Sequence, residues 1–176
     1  TTGTLDAATG NTGVGIAALD AITTGDYNTA VGNLAGTAIT TGESNTLVGP
    51  FAGLVLVGGS ENVAVGRSAL ASEDGHGKNI AIGFSALNTL NAGVDAHNIA
   101  IGYNAGLSIS TAVNNVLMGS FAGDALTTGS NNVAIGYEAL STEDSQGSSV
   151  AVGYQALKSQ NTAASAFNIA VGLSLI

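Results

Sequence analysis

One pattern recurs ten times in this chain and limits what it can become. An Asn is followed by three small or branched apolar residues, then Gly, then Ala three residues after the Gly, as in "NNVAIGYEAL". Numbering the Asn as position 1, repeats start at Asn11, Asn28, Asn45, Asn62, Asn79, Asn98, Asn115, Asn132, Ser149 and Asn168. The step is 17 residues except for two steps of 19, from 79 to 98 and from 149 to 168. Position 5 is Gly in all ten repeats, from Gly15 to Gly172, and position 8 is Ala in all nine complete ones, from Ala18 to Ala156. Position 4 is always Val, Ile or Met. Recurrence this strict requires each copy to occupy the same environment, which stacked repeats provide and a single globular core does not.

A longer period lies over the short one. Residues 28–97 and 98–167 align without gaps, 31 of 70 positions being identical. Within each block two repeats carry Ala-Gly at positions 8 and 9 (Ala35-Gly36, Ala52-Gly53), and two carry Ala-Leu (Ala69-Leu70, Ala86-Leu87). The second block keeps that order with Ala105-Gly106, Ala122-Gly123, Ala139-Leu140 and Ala156-Leu157, as duplication of a four-rung unit would leave it. We read residues 1–176 as one repeat array without a linker or second domain. The final "NIAVGLSLI" opens a repeat and does not finish it, so the array is expected to be cut at both ends.

The repeat is too short for a helical solenoid, whose units run to roughly 33–47 residues and hold two amphipathic helices. Positions 2–4, such as Val133-Ala134-Ile135, are short, rich in β-branched residues and closed by Gly, which predicts a strand of three to five residues. The Gly at position 5 predicts a sharp corner, made by positive φ or by close backbone approach. Positions 6–9 form a second short segment, either strand or one helical turn, and stretches such as "STEDSQGS" are polar turns. The expected fold is all-β: a β-solenoid with one 17-residue coil per repeat and coils about 4.8 Å apart. The Asn column would either stack its amides into a ladder or serve as a turn residue.

Strand side chains alternate between faces, so positions 2 and 4 share one face and position 3 takes the other. All three are apolar in most repeats, as in Val63-Ala64-Val65 and Ile99-Ala100-Ile101. A strand apolar on both faces calls for cover on both, and a single coil has one interior. The second face is therefore expected to meet another chain, with the small Ala at position 3 permitting close approach. Three copies around one axis is the simplest such assembly.

Composition agrees with thin stacked layers and removes several functions. There are 26 Gly, 1 Pro, no Cys and no Trp, and 45% of residues are hydrophobic, chiefly small or β-branched. A net charge of −9, with only Arg67, Lys78 and Lys158 as bases, leaves no basic stripe for nucleic acid or anionic lipid. Without Cys there is neither a disulfide framework nor a thiolate metal site. The run Leu54-Val55-Leu56-Val57 is far too short to span a bilayer, and "TTGTLDAATG" has no signal-peptide pattern.

The repeats "NVAIGYEAL", "NIAIGFSAL" and "SVAVGYQAL" resemble the N-x-A-[VI]-G-x-x-A repeats of YadA-like trimeric adhesin heads. They resemble more closely the "NTAVG…AL…TTG…NT" arrays of bacteriophage tail-fibre and related long bacterial surface proteins. The likeness spans residues 11–172 and rests on a short motif. It implies a left-handed, trimeric β-solenoid serving as a fibre shaft or adhesive head outside the cell, on a virion or a bacterial surface. The coil here is longer than in the adhesin heads. The expected role on this resemblance is a shaft segment, with the tail fibre of a bacteriophage, supporting attachment to a host receptor, as its expected setting. The alternative is a bacterial adhesin or extracellular filament whose outer loops bind a cell-surface glycan or protein.

Candidate sites are few. His76 and His97 lie 21 residues apart in turns of different repeats, and neither recurs in the second block, where Gln146 and Phe167 replace them; no convergence with carboxylates is expected. Glu73-Asp74 and Glu143-Asp144 fall at equivalent positions and could offer oxygen ligands to Ca²⁺, but the nonapeptide spacing of calcium β-rolls is absent. They read as solvated acidic turns. Phe84, Tyr103, Tyr137 and Tyr154 all follow the corner Gly and suit either packing or sugar stacking. The Thr-rich early rungs ("AITTGDYNTA", "AITTGESNTL") suggest an ordered Thr array of the ice-binding type only faintly, since the pattern fades by the third rung. The hexapeptide period of solenoid acyltransferases is missing. No catalytic, cofactor-binding or metal-ligating residue is assigned, and the chain is not expected to be an enzyme.

Overall fold

The computed structural model describes residues 8–142, 145, 147–159 and 167–174. It is a β-solenoid. Ten three-residue strands, one per repeat, form a single parallel sheet in sequence order. They are β1 (Thr12–Val14), β2 (Thr29–Val31), β3 (Thr46–Val48), β4 (Val63–Val65), β5 (Ile80–Ile82), β6 (Ile99–Ile101), β7 (Val116–Met118), β8 (Val133–Ile135), β9 (Val150–Val152) and β10 (Ile169–Val171). No helix occurs among the described residues. Register is strict: Ala64 pairs with Ala81 and Ala134 with Ala151. The 19-residue step changes nothing in the sheet, since Ile80 still pairs with Ile99.

The corner Gly is required for both reasons anticipated. Its φ lies between +128° and +148° in all ten repeats, a region L side chains rarely enter. A Cβ on Gly83 would stand 2.2 Å from the carbonyl oxygen of Gly102 in the next coil. Positions 6–9 are neither strand nor helix. They form a tight turn in which positions 7 and 9 are left-handed even where they are Leu, Ser or Phe, such as Phe121 (φ 63°) and Leu70 (φ 50°). Each such residue costs on the order of 1–2 kcal/mol. The ladder offsets it, because the amide of Phe121 donates to the Tyr103 carbonyl of the preceding coil and that of Leu70 to the Ala86 carbonyl of the next. Backbone bonding between coils thus continues well beyond the short strands.

The interior is a set of vertical columns. Position 1 is a buried amide ladder: the Asn28 Oδ1 accepts from the Asn45 backbone N–H at 3.0 Å and from its Nδ2 at 2.9 Å. The Asn45 Oδ1 accepts the same two bonds from Asn62. Several Nδ2 groups also donate to a carbonyl just before the Asn of the next coil, as Asn45 does to Gly59 at 2.8 Å and Asn98 to Ala112 at 2.8 Å. This settles the role of Asn as a ladder residue inside the coil. Ser149 interrupts the column of amides, yet its backbone N–H still donates to the Asn132 Oδ1.

Position 3 is also interior. Ala30, Ala64, Ala81, Ala100 and Ala134 are fully buried. This reverses the expected orientation: the small residue packs inward, where coil width is limiting, and the branched residues at positions 2 and 4 point out. Leu47 and Leu117 occupy the same column, and there position 9 shrinks to compensate. A Cβ on Gly53 would lie 3.0 Å from the Leu47 Cδ2, and one on Gly106 would lie 2.8 Å from the Leu117 Cδ1. Where position 3 is Ala both in the same coil and in the next, position 9 fills the space with Leu70, Leu87 or Leu140, all fully buried. The four-rung order of Ala-Gly and Ala-Leu repeats is therefore a volume constraint on the core. Position 12 completes the interior with Ile22, Ile39, Leu56, Leu90, Ile109 and Leu126.

Candidate functional site: an outward strand face and a buried carboxylate

Positions 2 and 4 of every strand carry Val, Ile, Thr or Met and no charge. They form the outer face of the sheet. Most residues at position 2 are partly buried by their own neighbours, while Val31, Val48, Met118 and Ile135 are 36–39% exposed at position 4. Scattered surface apolar residues are ordinary; a charge-free stripe running across ten strands is not.

The aromatic residues border this face. Phe84 stacks on Tyr103 with centroids 5.1 Å apart, and Tyr137 on Tyr154 at 5.4 Å. Phe121, at position 7 of the coil where position 6 is Ser120, bridges the two pairs edge-on at 5.3 and 6.1 Å. The sequence places four aromatics in one column at position 6; the structure adds a fifth, Phe121, which stands one position further on. Between stacked rings the faces are covered by neighbours and mainly edges meet solvent, which favours packing over sugar stacking. Arg67 lies 6.0 Å from the Phe84 centroid. In the Thr-rich rungs the hydroxyls of Thr23 and Thr40 donate to the carbonyls of Thr40 and Val57.

The acidic turn departs from expectation. Asp74 is exposed, but Glu73 is fully buried. It occupies position 12, the column held by Leu56 one coil before and Leu90 one coil after. Its Oε1 accepts from the His76 backbone N–H at 3.2 Å and its Oε2 from Ala92 at 3.4 Å. Burial pushes the carboxyl above the usual range, while those two N–H groups pull it back. The His76 Nδ1 is 3.6 Å from the Glu73 Oε1. The coil thus brings together Glu73, Asp74 and His76, which sequence reading kept apart. The signal was available: Glu73 stands where the register puts Ile or Leu. His97 does not join them; it lies before β6 with a left-handed backbone (φ 52°). Glu143-Asp144 and Gln146 fall outside the described residues.

A second strained acid is Asp124. Its Oδ1 is buried without a hydrogen-bond partner. Desolvation, aided by the charge of Glu138, raises its pKa. Glu138 itself is held low by Lys158 and Gln155, both of which donate to it. Among the described residues no helix is long and apolar enough to cross a membrane. Comparison of the chain with protein-family models, with curated proteins and with solved structures gives no match.

Proposed function

We propose that this chain is a shaft segment of a homotrimeric extracellular fibre, with the bacteriophage tail fibre, which supports attachment to a host receptor, as its setting. The observation that carries the reading is the charge-free outer face of the sheet. It leaves Val, Ile and Met side chains uncovered along the length of a rod whose interior is already filled. Copies of the same chain packing these faces together would remove the stripe from water at roughly 25 cal/mol per Å² of apolar surface. A rod built from neighbour-to-neighbour bonds is suited to spacing and bearing load, and gains length by duplicating rungs. The repeat resemblance supplies the trimer, the left-handed winding and the phage setting.

Native mass measurement tests the assembly directly. The expected particle has three times the 17.0 kDa chain mass. A lone chain that stays soluble at high concentration would remove the argument from the uncovered face. A bacterial surface adhesin is the alternative on the same resemblance. The sequence flanking this array separates the two: a stalk and membrane-anchor barrel mark the adhesin, a chaperone or tip domain the fibre.

A further inference from the structure

We propose that Glu73, Asp74 and His76 form a binding site for a first-row divalent transition metal of the Zn²⁺ class. Their ligand atoms already lie within 4.8 Å of one another, in the only such group of three among the described residues. An imidazole nitrogen with two carboxylates is a donor set suited to Zn²⁺ and its neighbours, and Ca²⁺ seeks oxygen alone.

Three observations beyond proximity support a ligand here. First, the His76 Nδ1 is buried and has no hydrogen-bond partner, although the ring as a whole is 35% exposed. It faces the Glu73 Oε1 at 3.6 Å, too far for a hydrogen bond and close enough for both atoms to share an ion. Second, Glu73 places a carboxylate in a column that is otherwise Ile or Leu, an expensive choice unless the charge is answered. Its two backbone N–H bonds are long, and each oxygen keeps a lone pair. Third, the turn is held from outside. The Asp74 carbonyl accepts from Val57 and Gly58 at 2.6 and 3.0 Å, and the His76 carbonyl accepts from the Asn62 Nδ2. The same N–H groups that bind Glu73 orient its carboxylate, as outer-shell donors do in metal sites. Exposed Asp74 gives the ion an entry side, with water completing the coordination.

The second block distinguishes this site from a merely acidic turn. Gln146 stands where His76 stands in the first block, so the chain should bind one equivalent of metal.

Calorimetric titration of the full chain with Zn²⁺ alone, and separately with Ca²⁺, tests the proposal. One Zn²⁺ per chain is expected, and His76→Gln should weaken it by at least about tenfold, the scale on which lost metal-site groups act. Glu73→Leu installs the residue of the adjoining coils; it should stay folded by circular dichroism and lose the same binding. His97→Gln should bind like the parent. No Zn²⁺ uptake, uptake unaffected by either of the first two variants, or a preference for Ca²⁺ would overturn the site.

Discussion

Gly36 and Leu47 are built for each other: a Cβ at Gly36 would stand 2.7 Å from the Leu47 Cδ1, one coil away. Gly36→Ala should therefore cost about 1–3 kcal/mol by overpacking, beyond the penalty for Ala at φ 57°. Leu47→Ala alone should cost about 2–5 kcal/mol. The double variant should be better than the sum by at least about 0.5 kcal/mol, since the two groups contest one volume. Denaturant titration of the four proteins closes this cycle, and strict additivity would mean that the four-rung order has another cause.

Gly136→Val probes the corner. The position has φ 136°, and a Cβ there would fall 2.2 Å from the Gly153 carbonyl oxygen. We predict a loss of about 3 kcal/mol or more, because backbone strain and a clash with another backbone act together. A thermal melt within a degree of the parent would sink the account of the corner.

Asn98→Ala tests the amide ladder. The Asn98 Oδ1 accepts from the Asn115 backbone N–H at 2.9 Å, and its Nδ2 donates to the Ala112 carbonyl at 2.8 Å. Truncation strands buried groups in two coils, each worth about 1–3 kcal/mol. Hydrogen exchange should show Asn115 losing protection ahead of distant coils. Uniform protection would place the ladder's contribution elsewhere.

Asp124→Asn tests a charge kept in an unfavourable place. The folded-state pKa of Asp124 is raised above its ordinary 3.8, so ionisation weakens the fold. That penalty is present at neutral pH and disappears as pH falls through the folded value towards 3.8. The Asn variant should be more stable than the parent at pH 7, with the gap closing in acid. A gap that widens on acidification would show that the carboxylate is favourably held.

Ile135→Glu addresses the outer face. The side chain is 37% exposed and projects away from the coil interior, so the isolated fold should tolerate the change. Assembly should not, because a carboxylate would sit within the buried stripe. Sedimentation should report the single-chain mass with unchanged circular dichroism. Loss of secondary structure in the variant would contradict the outward placement.

Much of the fold was legible because Gly15 to Gly172 and Ala18 to Ala156 leave one stacking register open. Three things were not. The direction of Ala134 could not be read, since a two-sided apolar strand does not say which face is narrow. The left-handed backbone at Leu70, Phe121 and Gln155 carries no compositional mark, as it is imposed by bonds to neighbouring coils. Glu73 looked like turn chemistry because "SEDGHG" is polar; only alignment with Leu56 and Leu90 shows that its side chain enters the core.

The 19-residue coil between Asn79 and Asn98 carries its added length where nothing presses on it. Gly93 has open space around the point where a Cβ would be, Val94 is 53% exposed, and the strands on either side stay paired. That bend is a natural attachment point. A foreign peptide spliced there would hang off the rod like a flag from a mast, leaving the column of rungs beneath it undisturbed.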